Sequence, residues 1–599
     1  MRISIATLAV VALMAAAGLP AWAAKPRTAA KPAETKSPPL TAEQRAAQSI
    51  LKSLSLHDRV AQLVIGVALG EVPSRKSPEY EKFHHWVHDL HIGGMIVNNA
   101  VRNGIVQNAE PHAMALFLNQ MQKLAKTPLI VAADFERGAS MRVTSGARFP
   151  YNMAIGAAGD FDAARLEGEV TAHEARAVGV HWIFAPVADV NNNPDNPVIN
   201  VRSFGENPDE VAKYVAAYID GAHYDSKNRV LVTAKHFPGH GDTNVDSHLG
   251  LPRISVTKER MEAVELKPFE AAISHGVDAI MTAHMSVPAI EPDDIPATAS
   301  PRVLTGLLRD ELGFKGIVVT DALDMAGFAS QFNSGEGSVR ALEAGADVLL
   351  MPPNPEQAIR AVIAAVENGR LTRQRIDASV MRVLTAKVRI GIVKKKLVDL
   401  DEISDVLDDT EIAGRVQNMS DRAVTLVRNQ ANLVPLAPQS KACLVVTVGA
   451  RLSTYGQRMV TEFHRRVPSG HAIIVDPSMP LAALIAEAGD PSACSAIAIA
   501  IFSTGTNPYA DVPAFLEQLT AGRAPVVVIA MGSPYVIAGV PRAAAFLATF
   551  SPTVPSEVSA IRALFGEVPI TGHLPVTIPG VAKYGDGIRV DARSKVSQP

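Results

Sequence analysis

Residues 230–248 read VLVTAKHFPGHGDTNVDSH, and they contain a strand and the loop that follows it. Residues 230–237 are apolar and β-branched up to Lys235 and His236, which is typical of a parallel strand buried on both faces. The glycines and the proline that follow His236 forbid regular structure, so residues 239–248 are predicted to be a loop. The stretch therefore predicts a buried strand that ends in charged side chains.

Seven similar apolar runs lie on either side of this strand, and segments of helical periodicity separate them. The eight runs are VAQLVIGVAL (60–69), IGGMIVNN (92–99), PLIVAADFE (128–136), HWIFAPVADV (181–190), VLVTAKHF (230–237), AIMTAHMSV (279–287), GIVVTDAL (316–323) and DVLLMP (347–352). Buried strands that alternate with helices indicate a parallel sheet covered by helices. Eight such units predict an α/β fold with a (β/α)₈ TIM-like barrel over residues 49–390.

The chain beyond the barrel changes its pattern twice. Residues 391–420 carry a basic run and then an acidic run, and we interpret them as a linker that contains a docking helix. Five more apolar runs follow: ACLVVTVGA (442–450), HAIIVDP (471–477), SAIAIAIFS (495–503), APVVVIAMGS (524–533) and AAFLATFS (544–551). They predict a smaller, doubly wound α/β sandwich domain over residues 421–599. No Gly-x-Gly-x-x-Gly follows a strand here, which argues against a nucleotide site.

The amino terminus has the pattern of a cleaved signal peptide over residues 1–23. Arg2 precedes an apolar run at residues 3–19, and Ala-Trp-Ala at 21–23 matches a cleavage site. Residues 24–48 are rich in Pro, Ala and Lys and are predicted to be a flexible leader. We therefore expect an exported, periplasmic or secreted protein, with no membrane span in the mature chain.

Composition excludes several classes of protein. The 599 residues are 47% hydrophobic and 20% charged, which excludes wholesale disorder. Lys and Arg total 57 against 60 Asp and Glu, for a formal charge of -3, so no nucleic-acid partner is expected. Cys443 and Cys494 show no zinc-ligand spacing; export would permit a disulfide, and two buried thiols fit the sequence equally well.

Polar side chains follow most of the predicted barrel strands, where a barrel carries its chemistry. Any one of them could simply hydrogen-bond to the backbone at the end of its strand. So many polar side chains at one rim instead predict an active site. They are Asp134, Glu136, Asp189, Asn191, Asn192, Asn193, Lys235, His236, His284 and Asp321.

The loop at residues 239–248 adds His240, Asp242, Asp246 and His248. A metal site is one interpretation, but most of these side chains share one flexible loop, so we predict no metal and no cofactor. The alternative is a proton-transfer pair. Asp246 and His248 are two residues apart and can point the same way, so the carboxylate can orient the imidazole and stabilise its protonated form.

The histidines of HHWVHDLH (84–91) have a spacing that metal ligands also use, because His84 and His88 are four residues apart. The segment precedes a predicted strand. We therefore interpret them as residues on an exposed helix of the barrel.

Three motifs resemble those of β-N-acetylglucosaminidases in family 3 of the glycoside hydrolases. KHFPGHGDTNVDSH (235–248) is similar to the family's signature, GIVVTDALDMAG (316–327) to its nucleophile strand, and NVRSFGENP (200–208) to its arginine segment. Two further segments, at 423–436 and 563–579, resemble the start and end of the second domain in two-domain members.

The resemblance implies a role for each matching residue. Asp321 would be the nucleophile and His248 the acid/base, with Asp246 as its partner. The residues expected to bind the terminal sugar are Asp134, Arg142, Arg202, Lys235 and His236. One segment departs from the family pattern: many members read D-x-E-G-G-R after the third strand, whereas this chain reads DFERGASMR at 134–142.

The function that the resemblance implies is an exo-acting, retaining β-N-acetylglucosaminidase acting on oligosaccharides from the cell wall or chitin. Such enzymes commonly use a nucleophile and a proton donor on either side of the glycosidic bond. Four alternatives stay open. They are a β-glucosidase or xylosidase of the same family, which generally lacks the Asp-x-His loop, a phosphorylase, a non-catalytic sugar-binding protein and a metallohydrolase.

Overall fold

The computed structural model describes residues 39–102, 105–437, 441–448, 454–476, 479–488, 493–505 and 512–593. The predicted signal peptide, residues 1–23, lies outside the described residues. So does the leader up to residue 38.

Eight parallel strands form the first sheet, in the order β10-β1-β2-β5-β6-β7-β8-β9. A parallel bridge between Val319 and Val348 brings its two edges together, so the sheet is a barrel. A short hairpin, β3 and β4, stands apart from it. In chain order the strands are β1 (Val64–Ala68), β2 (Gly94–Val97), β3 (Ala100–Arg102), β4 (Ile105–Gln107), β5 (Ile130–Ala133), β6 (Trp182–Ile183), β7 (Leu231–Phe237), β8 (Ala279–Thr282), β9 (Ile317–Val319) and β10 (Leu349–Leu350).

Each of the eight apolar runs contains one barrel strand, which confirms the predicted barrel. The first run differs at its start, because residues 60–61 belong to a helix. Ser55 caps that helix by accepting a hydrogen bond from the backbone N–H of Asp58 at 3.1 Å, and the Asp58 carboxylate accepts one from the backbone N–H of Ser55 in return. This capping box starts the helix early enough to include Val60 and Ala61.

Helices surround the barrel and connect its strands. They are α1 (Ala42–Ser53), α2 (Leu56–Ala61), α3 (Pro78–His84), α4 (Pro111–Leu124), α5 (Asn152–Ala158), α6 (Phe161–Ala177), α7 (Pro208–Ala222), α8 (Lys258–Ala263), α9 (Lys267–Ser274), α10 (Ala326–Ala329), α11 (Ser334–Ala344), α12 (Pro355–Glu367) and α13 (Arg373–Arg389). Helix α1 begins inside the predicted leader, residues 24–48, so that prediction is wrong for its last residues. Ala47 and Leu51 are buried where α1 packs on α13, and this apolar contact fixes a helix there.

The second sheet has six strands in the order β11-β16-β15-β14-β12-β13. Five of them lie in the five predicted runs and are parallel, with apolar clusters on both faces, as a doubly wound sheet requires. The sixth, β11, pairs antiparallel with β16 at the edge and was not predicted. The strands are β11 (Thr425–Asn429), β12 (Ala442–Thr447), β13 (Ala472–Val475), β14 (Ala496–Ser503), β15 (Val526–Gly532) and β16 (Ala545–Ala548).

Helix α14 (Ile403–Leu407) packs on α6 of the barrel, and its buried residues belong to the barrel core. Five further helices accompany the second sheet: α15 (Thr410–Ala423), α16 (Gln457–Arg466), α17 (Leu481–Ala488), α18 (Val512–Thr520) and α19 (Val554–Leu564). A disulfide joins Cys443 to Cys494, whose Cα atoms are 5.7 Å apart, so the two cysteines are not free thiols. None of the helices in the described part of the chain has the length and apolar character needed to span a bilayer.

Polar contacts hold the second sheet against the barrel, and both belong to one compact unit that begins at Ala42. The carboxylate of Glu206, on the barrel side, accepts hydrogen bonds from the backbone N–H and the hydroxyl of Thr577 at 2.6 and 2.7 Å. The Asn191 amide donates to the Tyr535 hydroxyl at 3.0 Å. Asn191 follows strand β6, so one of these contacts begins at the rim that carries the predicted site residues.

Glu174 on α6 is a buried carboxyl that anchors the loop after β5. Its Oε1 accepts a hydrogen bond from the backbone N–H of Ala147 at 2.7 Å. Burial raises the pKa of Glu174 to about 8, from an ordinary value of 4.5. The folded protein therefore holds a proton there that the unfolded chain releases, and the resulting stability is lost as the pH rises from 4.5 towards 8.

We expect Glu174→Gln to flatten the dependence of Tm on pH between about pH 5 and pH 8. The amide keeps an oxygen for the Ala147 N–H but cannot ionise, so the variant should gain a few degrees on the native protein at the upper end of this range. Thermal melting at several pH values measures the effect. Glu169→Gln, in the same helix and half-buried, is the matched control, and an identical response of the two variants would contradict the explanation.

Candidate active site

A cavity of about 400 Å³ opens at the carboxyl ends of the barrel strands. The structure brings seven of the eight predicted site residues into its wall, six from the barrel and the seventh, His248, from the loop. Asp246 does not line the cavity but contacts His248. The lining includes Asp134, Glu136, Arg142, Tyr151, Arg202, Lys235, His236, His240, His248, Asp321 and Asp324.

An ion cluster forms one side of the cavity, and Lys235 lies at its centre. The Lys235 ammonium contacts Asp134 Oδ1 at 2.8 Å and Glu136 Oε1 at 2.7 Å. Arg142 pairs with the other oxygen of Asp134 at 2.9 Å. Arg202 donates two hydrogen bonds to Glu136, at 2.9 and 2.7 Å. Each charged side chain is therefore held in position by an opposite charge.

The cluster keeps its carboxylates ionised. Burial works to raise the pKa values of Asp134 and Glu136, but the neighbouring cations outweigh it and hold both below their usual range. For Asp134 the cations are Lys235 and Arg142, and for Glu136 they are Arg202 and Lys235. Rigid charged donors and acceptors of this kind suit the hydroxyl groups of one bound sugar.

Glu136 was noticed at a strand end but was not assigned to the sugar-binding set. Its position two residues after Asp134 is the signal that could have identified it, because both side chains reach the same ammonium. Glu136 also fixes Arg202, so it acts on the cavity through two cations.

Glu136→Gln should lower kcat/KM by about 100-fold or more, because a displaced Lys235 and Arg202 no longer orient the substrate. It should also destabilise the fold by about 3–5 kcal/mol, since two buried cations lose their shared counter-charge. Steady-state kinetics and thermal melting test both effects. Asp209→Asn is the control, because among the described residues that exposed carboxylate forms its ion pair with Lys267 at the surface. Equal behaviour of the two variants would contradict the role given to Glu136.

Asp189 orients His236. This fully buried carboxylate accepts hydrogen bonds from His236 Nδ1 at 2.7 Å and from the backbone N–H of His240 at 2.6 Å. The Nδ1–H tautomer that this contact favours leaves His236 Nε2 facing the cavity, 3.4 Å from Arg202. The sequence placed Asp189 at a strand end, but only the fold shows which histidine it holds.

Asp321 follows β9, and the backbone of the next residue, Ala322, fixes its carboxylate. The backbone N–H of Ala322 donates to Asp321 Oδ1 at 2.8 Å. The carbonyl of Ala322 in turn lies 2.9 Å from Nε2 of the buried His284. Burial works to raise the pKa of Asp321, but His236, His284, the Ala322 N–H and Lys235 outweigh it, and the pKa lies below its usual range. Asp321 is therefore a fixed, ionised carboxylate.

His248 differs from Asp321 because it lies on a loop and is 60% exposed. Its Nδ1 is 2.8 Å from Asp246 Oδ1, and the same oxygen accepts the backbone N–H of His248. The Gly327 N–H donates to the Ser247 carbonyl at 3.0 Å, which ties the loop to the segment after Asp321. The Nε2 atom of His248 is thus the ring nitrogen left for a substrate.

His240 is a further buried group in the wall that the sequence did not assign to sugar binding. Burial lowers its pKa to about 4, so the ring is neutral near pH 7. Nδ1 lies 2.8 Å from the Thr243 hydroxyl, whereas Nε2 has no hydrogen-bond partner among the described residues. A buried ring nitrogen without a partner in a cavity wall suits a polar group of a ligand.

The other histidines that the sequence drew attention to lie elsewhere. His84 and His88 belong to the exposed face of a helix, as predicted. Within the described residues, the groups of side chains with metal-ligand spacing are His57, Asp58 and His91, and His84, His88 and Asp89. Neither group contributes to the cavity wall.

The arrangement combines a fixed carboxylate, an imidazole oriented by a second carboxylate, and a charged cluster for polar hydroxyl groups. Covalent attack and proton transfer at a single bond need these groups, and glycosidases use them together. Fold and site thus define a glycoside hydrolase on a barrel. Residues 55–386 match the family described as glycosyl hydrolase family 3 N terminal domain, and the chain belongs to this family.

Relatives of known name agree with this assignment. The chain is 28% identical to a beta-N-acetylglucosaminidase/beta-glucosidase of Cellulomonas fimi, over 83% of this chain and 90% of that protein. It is 34% identical to beta-hexosaminidase A of Pseudoalteromonas piscicida, over 57% of this chain and 61% of that protein. The solved structure of a glycoside hydrolase family 3 beta-N-acetylglucosaminidase from Paenibacillus sp. str. FPU-7 superposes with a TM-score of 0.77 at 33% identity, covering 88% of this chain and 99% of that one.

Proposed function

We propose that the protein is an exo-acting, retaining β-N-acetylglucosaminidase that removes terminal, non-reducing N-acetylglucosamine from oligosaccharides of the cell wall or chitin. One observation carries the proposal: Asp321 and the His248–Asp246 pair meet at one cavity beside a cluster of fixed charges. The names of the relatives above support the choice of N-acetylglucosaminides as substrates.

In the first step, Asp321 attacks the anomeric carbon while His248 donates its proton to the departing oxygen. The attack needs an ionised carboxylate, and the groups around Asp321 keep its pKa below the usual range. The donor needs a protonated imidazole, and Asp246 stabilises that form at 2.8 Å. The bond from the sugar to the leaving group breaks as the bond to Asp321 forms.

In the second step, the neutral His248 takes a proton from water, and the water oxygen attacks the same carbon. The bond to Asp321 breaks, so the sugar leaves with its original anomeric configuration. One imidazole acts as acid and then as base.

The size and polarity of the cavity support action at a chain end. A volume of about 400 Å³ lies at the lower end of ligand pockets, which suits one terminal sugar. The ion cluster at Asp134, Glu136 and Lys235 lies in the wall, where it can receive hydroxyl groups of that sugar.

We further propose that the enzyme works outside the cytoplasm, in the periplasm or as a secreted protein. The signal-peptide pattern at residues 1–23 is the main support. The Cys443–Cys494 disulfide fits an oxidising compartment.

Initial rates on nitrophenyl N-acetylglucosaminide and nitrophenyl glucoside, each with and without phosphate, test the proposal. We expect a higher kcat/KM for the N-acetylglucosaminide and free N-acetylglucosamine as the product under both conditions. A preference for the glucoside would favour a β-glucosidase. Formation of the sugar 1-phosphate when phosphate is added would instead show a phosphorylase.

A further inference from the structure

A histidine cluster lies on the outer surface of the barrel, away from the cavity wall, between strands β1 and β2. Helix α3 ends at His84 and continues as a π-helical turn, His85–Asp89, which includes His85, His88 and Asp89. Phe83 and Val87 of the same segment are buried in the core. The apolar residues thus face the barrel, while His85, His88 and Asp89 are exposed and His84 is partly exposed.

The π-turn brings the cluster together. Its hydrogen bond runs from the Leu90 N–H to the His85 carbonyl, one residue further than in an α-helix. This wider turn places residues four and five apart nearer to the same face, and the rings of His84 and His88 stack with their centroids 4.8 Å apart. Single π-turns within helices are frequent at functional sites.

We propose that His84, His88 and Asp89 bind a zinc ion on this face. Each side chain offers one ligand atom, and these three atoms lie within 4.8 Å of one another. Ligands about 2.1 Å from a tetrahedral zinc ion are about 3.4 Å apart, so small rotations of exposed side chains close the difference. Two imidazoles and one carboxylate suit zinc better than calcium or magnesium, which prefer oxygen ligands.

The surroundings also suit a cation. His85 Nδ1 lies 2.9 Å from Asp89 Oδ2, which orients the carboxylate as the outer partners of metal ligands do. Glu356, in the first turn of α12, adds a second carboxylate 3.9 Å from His85 Nε2. Helix α12 follows β10, so this second carboxylate comes from a different helix of the barrel and adds negative charge beside the proposed ligands.

The second His/Asp group does not fit an ion equally well. In that group Asp58 is buried and already accepts hydrogen bonds from His91, Lys126 and Ser55. A bound zinc ion would have to displace a lysine ammonium from this carboxylate. The cluster at His84 has no such competing cation among the contacts of its three ligands in the described residues.

Isothermal titration of the untagged full-length protein with zinc chloride tests the proposal. We compare the native protein with the double variant His84→Ala/His88→Ala and with His275→Ala. His275 is a matched control, because it is exposed and pairs with the carboxylate of Asp220 at 2.9 Å. It belongs to none of the groups with metal-ligand spacing in the described part of the chain. The substitutions lie on exposed or partly exposed faces, and thermal melting without zinc checks that each variant folds.

We expect the double variant to lose one equivalent of bound zinc, or to bind it at least about tenfold more weakly, while His275→Ala matches the native protein. Zinc should also raise the Tm of the native protein and of His275→Ala more than that of the double variant, because a ligand of the folded state stabilises it. Unchanged stoichiometry and affinity in the double variant would overturn the proposal. So would an equal loss in His275→Ala.

Discussion

Asp321→Ala is expected to fold normally and to lose several orders of magnitude in kcat on every glycoside that the enzyme cleaves. Covalent catalysis ends when the nucleophile is removed, so both steps of the reaction lose their main pathway. Because the Asp321 carboxylate accepts a single hydrogen bond among the described residues, from the Ala322 N–H, its removal should cost little stability. Steady-state rates and thermal melting of the purified variant measure both effects.

Asp324→Ala is the comparison for this prediction. Asp324 lines the same cavity three residues later, and burial raises the pKa of its carboxyl. A group that is more readily protonated is a poorer nucleophile, so this variant should lose much less activity than Asp321→Ala. The assignment of the nucleophile would be wrong if Asp324→Ala abolished turnover while Asp321→Ala retained it.

His248→Ala should slow the cleavage of a disaccharide by about 10²- to 10⁴-fold, the usual range for general acid catalysis. A sugar alkoxide leaves poorly without a proton, whereas a nitrophenolate leaves readily. The same variant should therefore form the glycosyl-enzyme from a nitrophenyl glycoside with a much smaller loss of rate. Pre-steady-state release of nitrophenol and steady-state cleavage of chitobiose provide the two rates.

Two further measurements sharpen this prediction. Azide should partly restore turnover of the nitrophenyl substrate by His248→Ala, because a small anion can enter the vacated space and attack without a general base. Asp246→Ala should give a milder loss with the same dependence on the leaving group, since the imidazole remains but loses its 2.8 Å contact. Equal losses on good and poor leaving groups would refute the acid/base role and favour a structural role for the loop.

The sequence predicted the barrel because its signal is local. A strand covered on both faces must be apolar almost throughout, and each of the eight runs satisfies this condition. The same rule located five strands of the second sheet. It failed for β11, an edge strand with the sequence TLVRN, where only the first two residues are buried. Helix α1 was missed for a related reason, because its two buried residues gain their stability from α13, more than 300 positions away.

The candidate site was predicted less completely than the fold. Residues at strand ends could be grouped in advance because a barrel brings these ends together. The contacts between these residues could not be predicted. Glu136 forms ion pairs with Lys235 and Arg202, which come from two other segments. Asp189 forms a hydrogen bond with His236, although several other histidines lie nearby. Such pairings depend on distances across the barrel, which spacing along one segment does not determine.

The central claim is a covalent bond between the sugar and Asp321, and trapping that bond tests it most directly. The native enzyme is incubated with 5-fluoro-N-acetylglucosaminyl fluoride, whose good leaving group and slowed hydrolysis allow the intermediate to accumulate. Mass spectrometry of the intact protein and of its peptides then locates the added mass. We predict one fluorinated N-acetylglucosaminyl group per chain, on the peptide that contains Asp321. An adduct on another residue, or turnover of the reagent with no adduct at any time, would contradict the account.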